Sequence, residues 1–297
     1  MKNKTSEIEF KKFLDINPSR IFEDGKRFKS QTNLYKNIGP KITIITVIKN
    51  KSEYIEETIL SIKNQNYKNI EHIIIDGVST DGSLEIIKKY IDDIDYIVSE
   101  PDSGNYDAIN KGISLSTGNL IGVVNADDIL LPDATKILVN YYKQFPEADF
   151  FFGSVKKHWG IISGYYPHKI KYSWFFYTSH STGFFLKRKA AEINGKYSLK
   201  YKYSSDFDYL YRLIVHNKFS GKATNKKEIF GIFRPGGISH TLNKEDHFFE
   251  KIQIRIDNKQ NKLFLISIFI IKYLRNQLSK DRIRFYKFKN FFLKNFF

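Results

Sequence analysis

Between residues 42 and 125 two kinds of apolar pattern alternate, and this constrains the fold more than any other feature of the chain. ITIITVI (42–48) is rich in β-branched residues, as in a strand covered on both faces. Ile55, Ile59 and Ile62 follow at helical spacing; Asn50 and Ser52 offer N-caps, with Glu53 placed to close a capping box on Asn50. HIIID (72–76) reads as a second strand, SLEIIKKYI (83–91) as a helix and DYIVS (95–99) as a third strand. YDAINKGIS (106–114) reads as a helix and LIGVVN (120–125) as a fourth strand. Such alternation requires right-handed crossovers, hence an α/β protein with a Rossmann-like, mostly parallel central sheet flanked by helices. Ligands of such sheets bind beyond the carboxyl ends of the strands.

The polar residues gather at those ends. Asp76 closes the second strand, Glu100 and Asp102 follow the third, and Asn125-Ala126-Asp127-Asp128 follows the fourth. Two adjacent carboxylates at the end of a buried strand are costly unless something compensates their charge. Hard oxygen ligands with no His or Cys beside them suit Mn²⁺ or Mg²⁺, which take one or two protein carboxylates and complete their shell with phosphate oxygens and water. The plainer alternative is that the pair caps the helix near Pro132. Asp81-Gly82 has the composition of a turn or cap, Gly104 permits close backbone approach, and Lys111 offers a counter-charge for a phosphate.

After Pro132 the alternation loosens. FFFGSV (150–155) and GFFLKR (183–188) read as strands, SSDFDYLYRLIV (204–215) as a helix, and FRPGGISH (233–240) as a glycine-rich loop. On a helix Asp206 and Asp208 point about 200° apart, so only one can face a ligand; Asp208 reads as a helix-surface acid or as a partner for Arg212 at i+4. No GxGxxG follows any strand, which argues against a dinucleotide oxidoreductase. The absence of cysteine excludes disulfides and thiolate metal sites.

The net charge of +16 is uneven. Residues 1–41 carry ten Lys and Arg against five Asp and Glu, residues 260–297 carry nine against one, and the stretch between is nearly neutral. That distribution argues against a nucleic-acid groove and favours contact with an anionic membrane surface through residues 260–297. The apolar stretch Leu263–Ile271 is nine residues long, short of the roughly 20 needed to span a bilayer. KDRIRFYKFKNFFLKNFF then interleaves cations with aromatics.

ITIITVIKN, IIIDGVSTDGS, SEPDSGNYDAINKG, TGNLIGVVNADD, SHSTGFF, SSDFDYLYRL and GGIS, in this order and spacing, resemble the family 2 glycosyltransferases of bacterial surface-polysaccharide synthesis. The resemblance spans roughly residues 40–240 and implies a GT-A fold. It implies a transferase domain (41–250) with a nucleotide-sugar half to about 130 and an acceptor half from 131; outside it stand an N-terminal extension (1–40) and, by its charge and aromatic pattern, a helical, basic, membrane-associating tail (251–297). The implied reaction is inverting transfer of a sugar from a nucleotide diphosphate, most often a UDP-sugar, to a glycan or lipid-linked acceptor. Carried over by residue, Asp76 contacts the nucleobase, Asp127 holds Mn²⁺ or Mg²⁺ on the diphosphate, and Asp206 is the catalytic base. Thr46, Asp102, Lys111, Asn125, Asp128 and His180 are the further donor-binding expectations. Asn125 stands where the family usually has the first acid of Asp-x-Asp, and Ile109 where it often has Arg. The implied place is the cytoplasmic face of the plasma membrane. Two rival readings are a catalytically silent basic protein that binds membrane or nucleic acid, and a sugar-nucleotide pyrophosphorylase. The latter wants a glycine-rich phosphate loop that TVIKNKSEYIEE lacks.

Overall fold

The structure is a computed structural model that describes residues 8–29, 38–172, 181–234, 244–277 and 291–294. Its first half alternates as the sequence requires: β1 (Phe22–Asp24), β2 (Ile42–Ile48), α1 (Ile55–Lys63), β3 (Ile70–Asp76), α2 (Ser83–Lys88), β4 (Tyr96–Ser99), α3 (Asn105–Leu115) and β5 (Leu120–Val123). The second half holds β6 (Ile129–Leu130), α4 (Ala134–Gln144), β7 (Phe150–Phe152), β8 (Ser154–Lys157), β9 (Gly160–Ile162), α5 (Pro167–Tyr172) and β10 (Phe184–Lys187). It continues through α6 (Arg188–Asn194), α7 (Ser205–Tyr211), β11 (Gly221–Ala223), β12 (Ile229–Ile232), α8 (Lys244–Asp257) and α9 (Lys262–Gln277).

An eight-stranded sheet runs in the order β1-β4-β3-β2-β5-β10-β7-β11, with β4, β3, β2 and β5 mutually parallel. A smaller sheet has the order β6-β12-β8-β9. All seven residues of β2 are buried, because alternate side chains enter cores on opposite faces. Ile45 and Val47 pack with Ile109 and Ile113 of α3 and Phe207 and Leu210 of α7. Ile42 and Ile44 pack with Leu138 of α4, and Ile48 joins Ile55, Ile59 and Ile87 of α1 and α2. Each such isoleucine contributes roughly 1.5–3 kcal/mol by leaving water.

Four expectations change. The run 150–155 is two strands in two sheets, broken at Gly153, where an added Cβ would lie 2.1 Å from the Phe230 ring. The helix from Ser205 passes at Arg212 into a π-helical turn that ends at His216. Asn50 caps no helix: its backbone is left-handed, and its side-chain oxygen accepts from the Thr80 amide at 2.8 Å. Residues 8–29, expected as an extension, build one edge of the eight-stranded sheet. β1 pairs with β4, Arg27 bridges to the buried Glu71 at 3.0 Å, and Arg20 bridges to Glu100 at 2.9 Å.

The C-terminal helices pack on each other, with Leu265 and Ile268 of α9 against Ile252 of α8. Among the described residues no helix is long and apolar enough to cross a membrane.

Candidate active site

The parallel strands deliver their carboxylates to one rim. Asp76 at the end of β3 is wholly buried, and its burial is offset by hydroxyl donors. Ser79 Oγ and Ser99 Oγ each donate to it at 2.5 Å, and the Ser79 amide adds contacts of 3.2 Å. Asp102, in the turn after β4, accepts from the Gly104 amide at 2.8 Å. Its other oxygen lies where a Cβ on Gly77 would come within 2.4 Å, so glycine at 77 lets the loops after β3 and β4 meet. Asp76 and Asp102 are thereby neighbours on the rim. Asp81 is a turn and cap residue, accepting from the Ser83 amide and hydroxyl and from the Ser52 amide.

Beyond β5 the two adjacent acids have different surroundings. Asp128 is buried, accepting from Thr182 Oγ1 at 2.7 Å and from Asn125 Nδ2 at 3.3 Å. Burial, reinforced by the Asp127 charge, pushes its carboxyl up to about 7 against the pull of the Thr182 hydroxyl. Asp127 remains partly open, and its partner is the Lys51 ammonium at 3.1 Å. Asn125 ties this turn to the segment before β10 by donating to Ser181 Oγ at 3.1 Å. Among the described residues no three His, Cys, Asp or Glu side chains cluster as a metal cage. A single rim carboxylate that already holds a cation nevertheless suits Mn²⁺ or Mg²⁺, whose remaining ligands come from phosphate and water.

Asp206 is the second residue of α7 and comes to the same rim through Tyr106, the second residue of α3. Its Oδ1 accepts from the Phe207 amide at 2.8 Å and meets the Tyr106 hydroxyl at 3.4 Å. That hydroxyl has one proton and also lies 3.2 Å from the Tyr203 carbonyl, so its bond to Asp206 is weak. Asp206 is exposed to water. Partial desolvation by the neighbouring protein raises its carboxyl above the usual carboxylate range, with the Lys251 charge opposing. Asp208 points the other way, buried, with Arg212 Nε at 2.9 Å and Asn258 Nδ2 of the segment after α8 at 2.9 Å. Arg212 also donates to the Asn194 and Lys196 carbonyls, and Glu250 of α8 accepts from the amides of Lys202 and Tyr203. These long-range contacts fix the direction in which α7 starts.

Two expected donor contacts have partners within the protein, and the first is shut off from a ligand. Thr46 is enclosed within β2, its hydroxyl 3.0 Å from Nε2 of His72, a histidine that burial lowers to about 3. Lys111 is committed to the buried Glu100 at 2.7 Å and to the Pro101 carbonyl at 2.8 Å, so its charge is already matched. His180, Gly236 and Gly237 lie outside the described residues. The sequence reading missed Lys51, Thr182 and Tyr106. Their positions in NKS, STG and NYD were visible, but their partners stand 76, 54 and 100 residues away.

Residues 43–226 match the family model for glycosyl transferase family 2. An uncharacterized glycosyltransferase of Mycobacterium tuberculosis is 29% identical over 188 residues, covering 59% of this chain and 69% of the relative. The glycosyltransferase TuaG of Bacillus subtilis, named for teichuronic acid biosynthesis, is 35% identical over 95 residues, which are 31% of this chain and 38% of TuaG. Among solved structures, S. aureus TarS 1-349 in complex with UDP-GlcNAc superposes with a TM-score of 0.59 at 15% identity, over 77% of this chain and 71% of that one. Of a longer TarS structure the chain spans 44%. The match over residues 43–226 and the parallel sheet with its rim of acids lead to one assignment: the chain belongs to glycosyl transferase family 2 and is a glycosyltransferase of GT-A fold.

Proposed function

We propose that this glycosyltransferase moves a sugar, with inversion, from a nucleotide diphosphate to a hydroxyl of a glycan or lipid-linked acceptor in bacterial surface-polysaccharide synthesis. The supporting observation is the convergence of Asp76, Asp127 and, through Tyr106, Asp206 at the carboxyl ends of the parallel strands. Asp76 and its serines offer a nucleobase site, with Asp102 beside it for the ribose. UDP is the favoured nucleotide, as in the TarS complex. Asn125 and Asp128 shape the turn that presents Asp127, the residue that would hold Mn²⁺ or Mg²⁺. When bound, that ion supplies neutralisation of the leaving diphosphate.

The acceptor oxygen attacks the anomeric carbon while the bond to the diphosphate breaks, and the acceptor proton passes to Asp206 Oδ2. A carboxylate whose pKa is raised by partial desolvation suits this work, because it is a stronger base than a fully hydrated one. The teichuronic acid name of TuaG supports a polymer-building context.

Residues 41–250, with residues 8–29 joined to them through β1, form the proposed transferase unit. Exposed Leu263, Ile270, Ile271 and Leu274 of α9, with the basic sequence around them, support peripheral attachment to the inner face of the plasma membrane. Flotation with anionic liposomes is expected to require residues 260–297; equal flotation of a chain lacking them would reject the attachment.

The catalytic reading is tested by thermal shift against a panel of nucleotide sugars with and without Mn²⁺. A UDP-sugar is expected to stabilise the protein only with the ion, and Asp127→Ala to abolish that dependence. Stabilisation that ignores both the ion and Asp127 would overturn the metal assignment.

A further inference from the structure

The acid assigned to the metal already has a cation. Lys51 follows β2, and its ammonium lies 3.1 Å from Asp127 Oδ2. Its backbone is held by a dense set of bonds between the loop after β2 and the loop after β3. The Asn50 amide donates to Ser79 Oγ at 2.8 Å, and the Thr80 amide donates to Asn50 Oδ1 at 2.8 Å. The Lys51 amide donates to Ser83 Oγ at 3.1 Å, and the Ser52 amide donates to Asp81 Oδ2 at 2.8 Å. The left-handed conformation of Asn50 is part of the same arrangement, and a non-glycine residue is held there only when its surroundings determine it. The side chain itself is partly exposed and lies 5.7 Å from the centre of the Tyr54 ring, a ring that the Arg234 guanidinium also approaches at 5.1 Å. A rigid backbone thus carries a long, partly free cation to the mouth of the diphosphate site. The same loop pins Ser79, a donor to Asp76.

Resting on the metal reading of Asp127, we propose that Lys51 is a donor-binding residue that changes partner: its ammonium holds Asp127 in the donor-free enzyme and transfers to the diphosphate oxygens once a divalent ion takes that carboxylate. Two positive charges cannot share one carboxylate oxygen closely without mutual repulsion, so ion and lysine compete at Asp127. The diphosphate resolves the competition, because its oxygens accept charge-assisted bonds from both. Metal affinity is then low without nucleotide and rises when nucleotide is present. This is linkage through one side chain.

The test is Mn²⁺ titration of the full chain, following the free aquo ion by electron paramagnetic resonance, with and without UDP. Without UDP, Lys51→Met is expected to bind Mn²⁺ about threefold more tightly than the wild type, the scale of a part-exposed ion pair. At saturating Mn²⁺ the same variant is expected to bind UDP roughly tenfold more weakly, as for one lost charge-assisted bond. Lys51→Arg, which keeps the charge, is expected to stay near the wild type in both measurements. Unchanged constants in Lys51→Met would overturn the exchange of partners while leaving the metal site standing. A wild type that binds no Mn²⁺ even with UDP would overturn the metal site, and the exchange with it.

Discussion

Asp76 and Asp206 are carboxylates brought to one rim, but they are held differently. Asp76 sits at the end of a strand, wholly buried, with two serine hydroxyls and an amide directed at it from residues within 23 positions. Asp206 stands second in a seven-residue helix, is reached by water, and keeps one amide and a share of the Tyr106 hydroxyl, whose residue lies 100 positions away. Many donors fix a carboxylate as an acceptor for binding. Few donors leave one free to take a proton. On the proposed function, the first carboxylate serves binding and the second proton transfer.

The strongest way to break that contrast is Asp206→Asn. Transfer is expected to fall by a factor on the order of 10²–10⁴ in initial-rate assays, with UDP affinity retained. Near-normal turnover would remove Asp206 from the chemistry. The raised pKa also sets two signs. Activity should rise with pH as Asp206 ionises, with an acid limb above the ordinary carboxylate range. Folding stability should run oppositely: the contribution of Asp206 is present at low pH and lost as pH rises through its folded-state pKa. Asp206→Asn is therefore expected to melt no lower than the wild type at pH about 8, where the ionised group is disfavoured by desolvation.

Next in size is Arg212→Ala, which leaves the buried Asp208 without its guanidinium partner. Chemical denaturation should show a loss of about 3–5 kcal/mol, and a loss under ~1 kcal/mol would mean that α7 is not anchored by this pair. Gly122→Ala probes the seam between the halves. An added methyl in β5 would lie 2.3 Å from the Phe185 ring of β10, an overpacking expected to cost about 1–3 kcal/mol. An unaltered melting temperature would show that β10 yields freely. The smallest effect is expected from Tyr106→Phe, which keeps the ring stacked on Tyr197 and removes only the long 3.4 Å contact. Transfer should drop by less than about tenfold, with the acid limb displaced upward because the lost donor favoured the ionised carboxylate.

Much of the first region was legible. The β-branched runs placed β2 residue for residue and the next three strands to within two residues at each end, since period-2 burial on two covered faces leaves a local signature. The spacing of Asp208 and Arg212 offered their pairing beside a surface position for Asp208, and burial of both decides for the pair. What escaped reading depends on distant chain. Thr46 and Lys111 are the polar types expected at a ligand, and only the packing shows one enclosed with His72 and the other matched to Glu100. The N-terminal residues had no periodicity to read because β1 is three residues long and gains its place from β4.

By itself the sequence determined the alternation of strands and helices, the rim on which its acids stand, and the family to which it belongs, because hydrophobic period and motif spacing are properties of neighbouring residues. Only the tertiary structure decided which acid meets which partner: Asp127 with Lys51, Asp128 with Thr182, Asp206 with Tyr106 and Asp208 with Arg212 and Asn258. The reason is physical. A carboxylate's character is set by its desolvation and by the donors within about 3 Å of it, and at this rim most of those donors arrive from elements far along the chain.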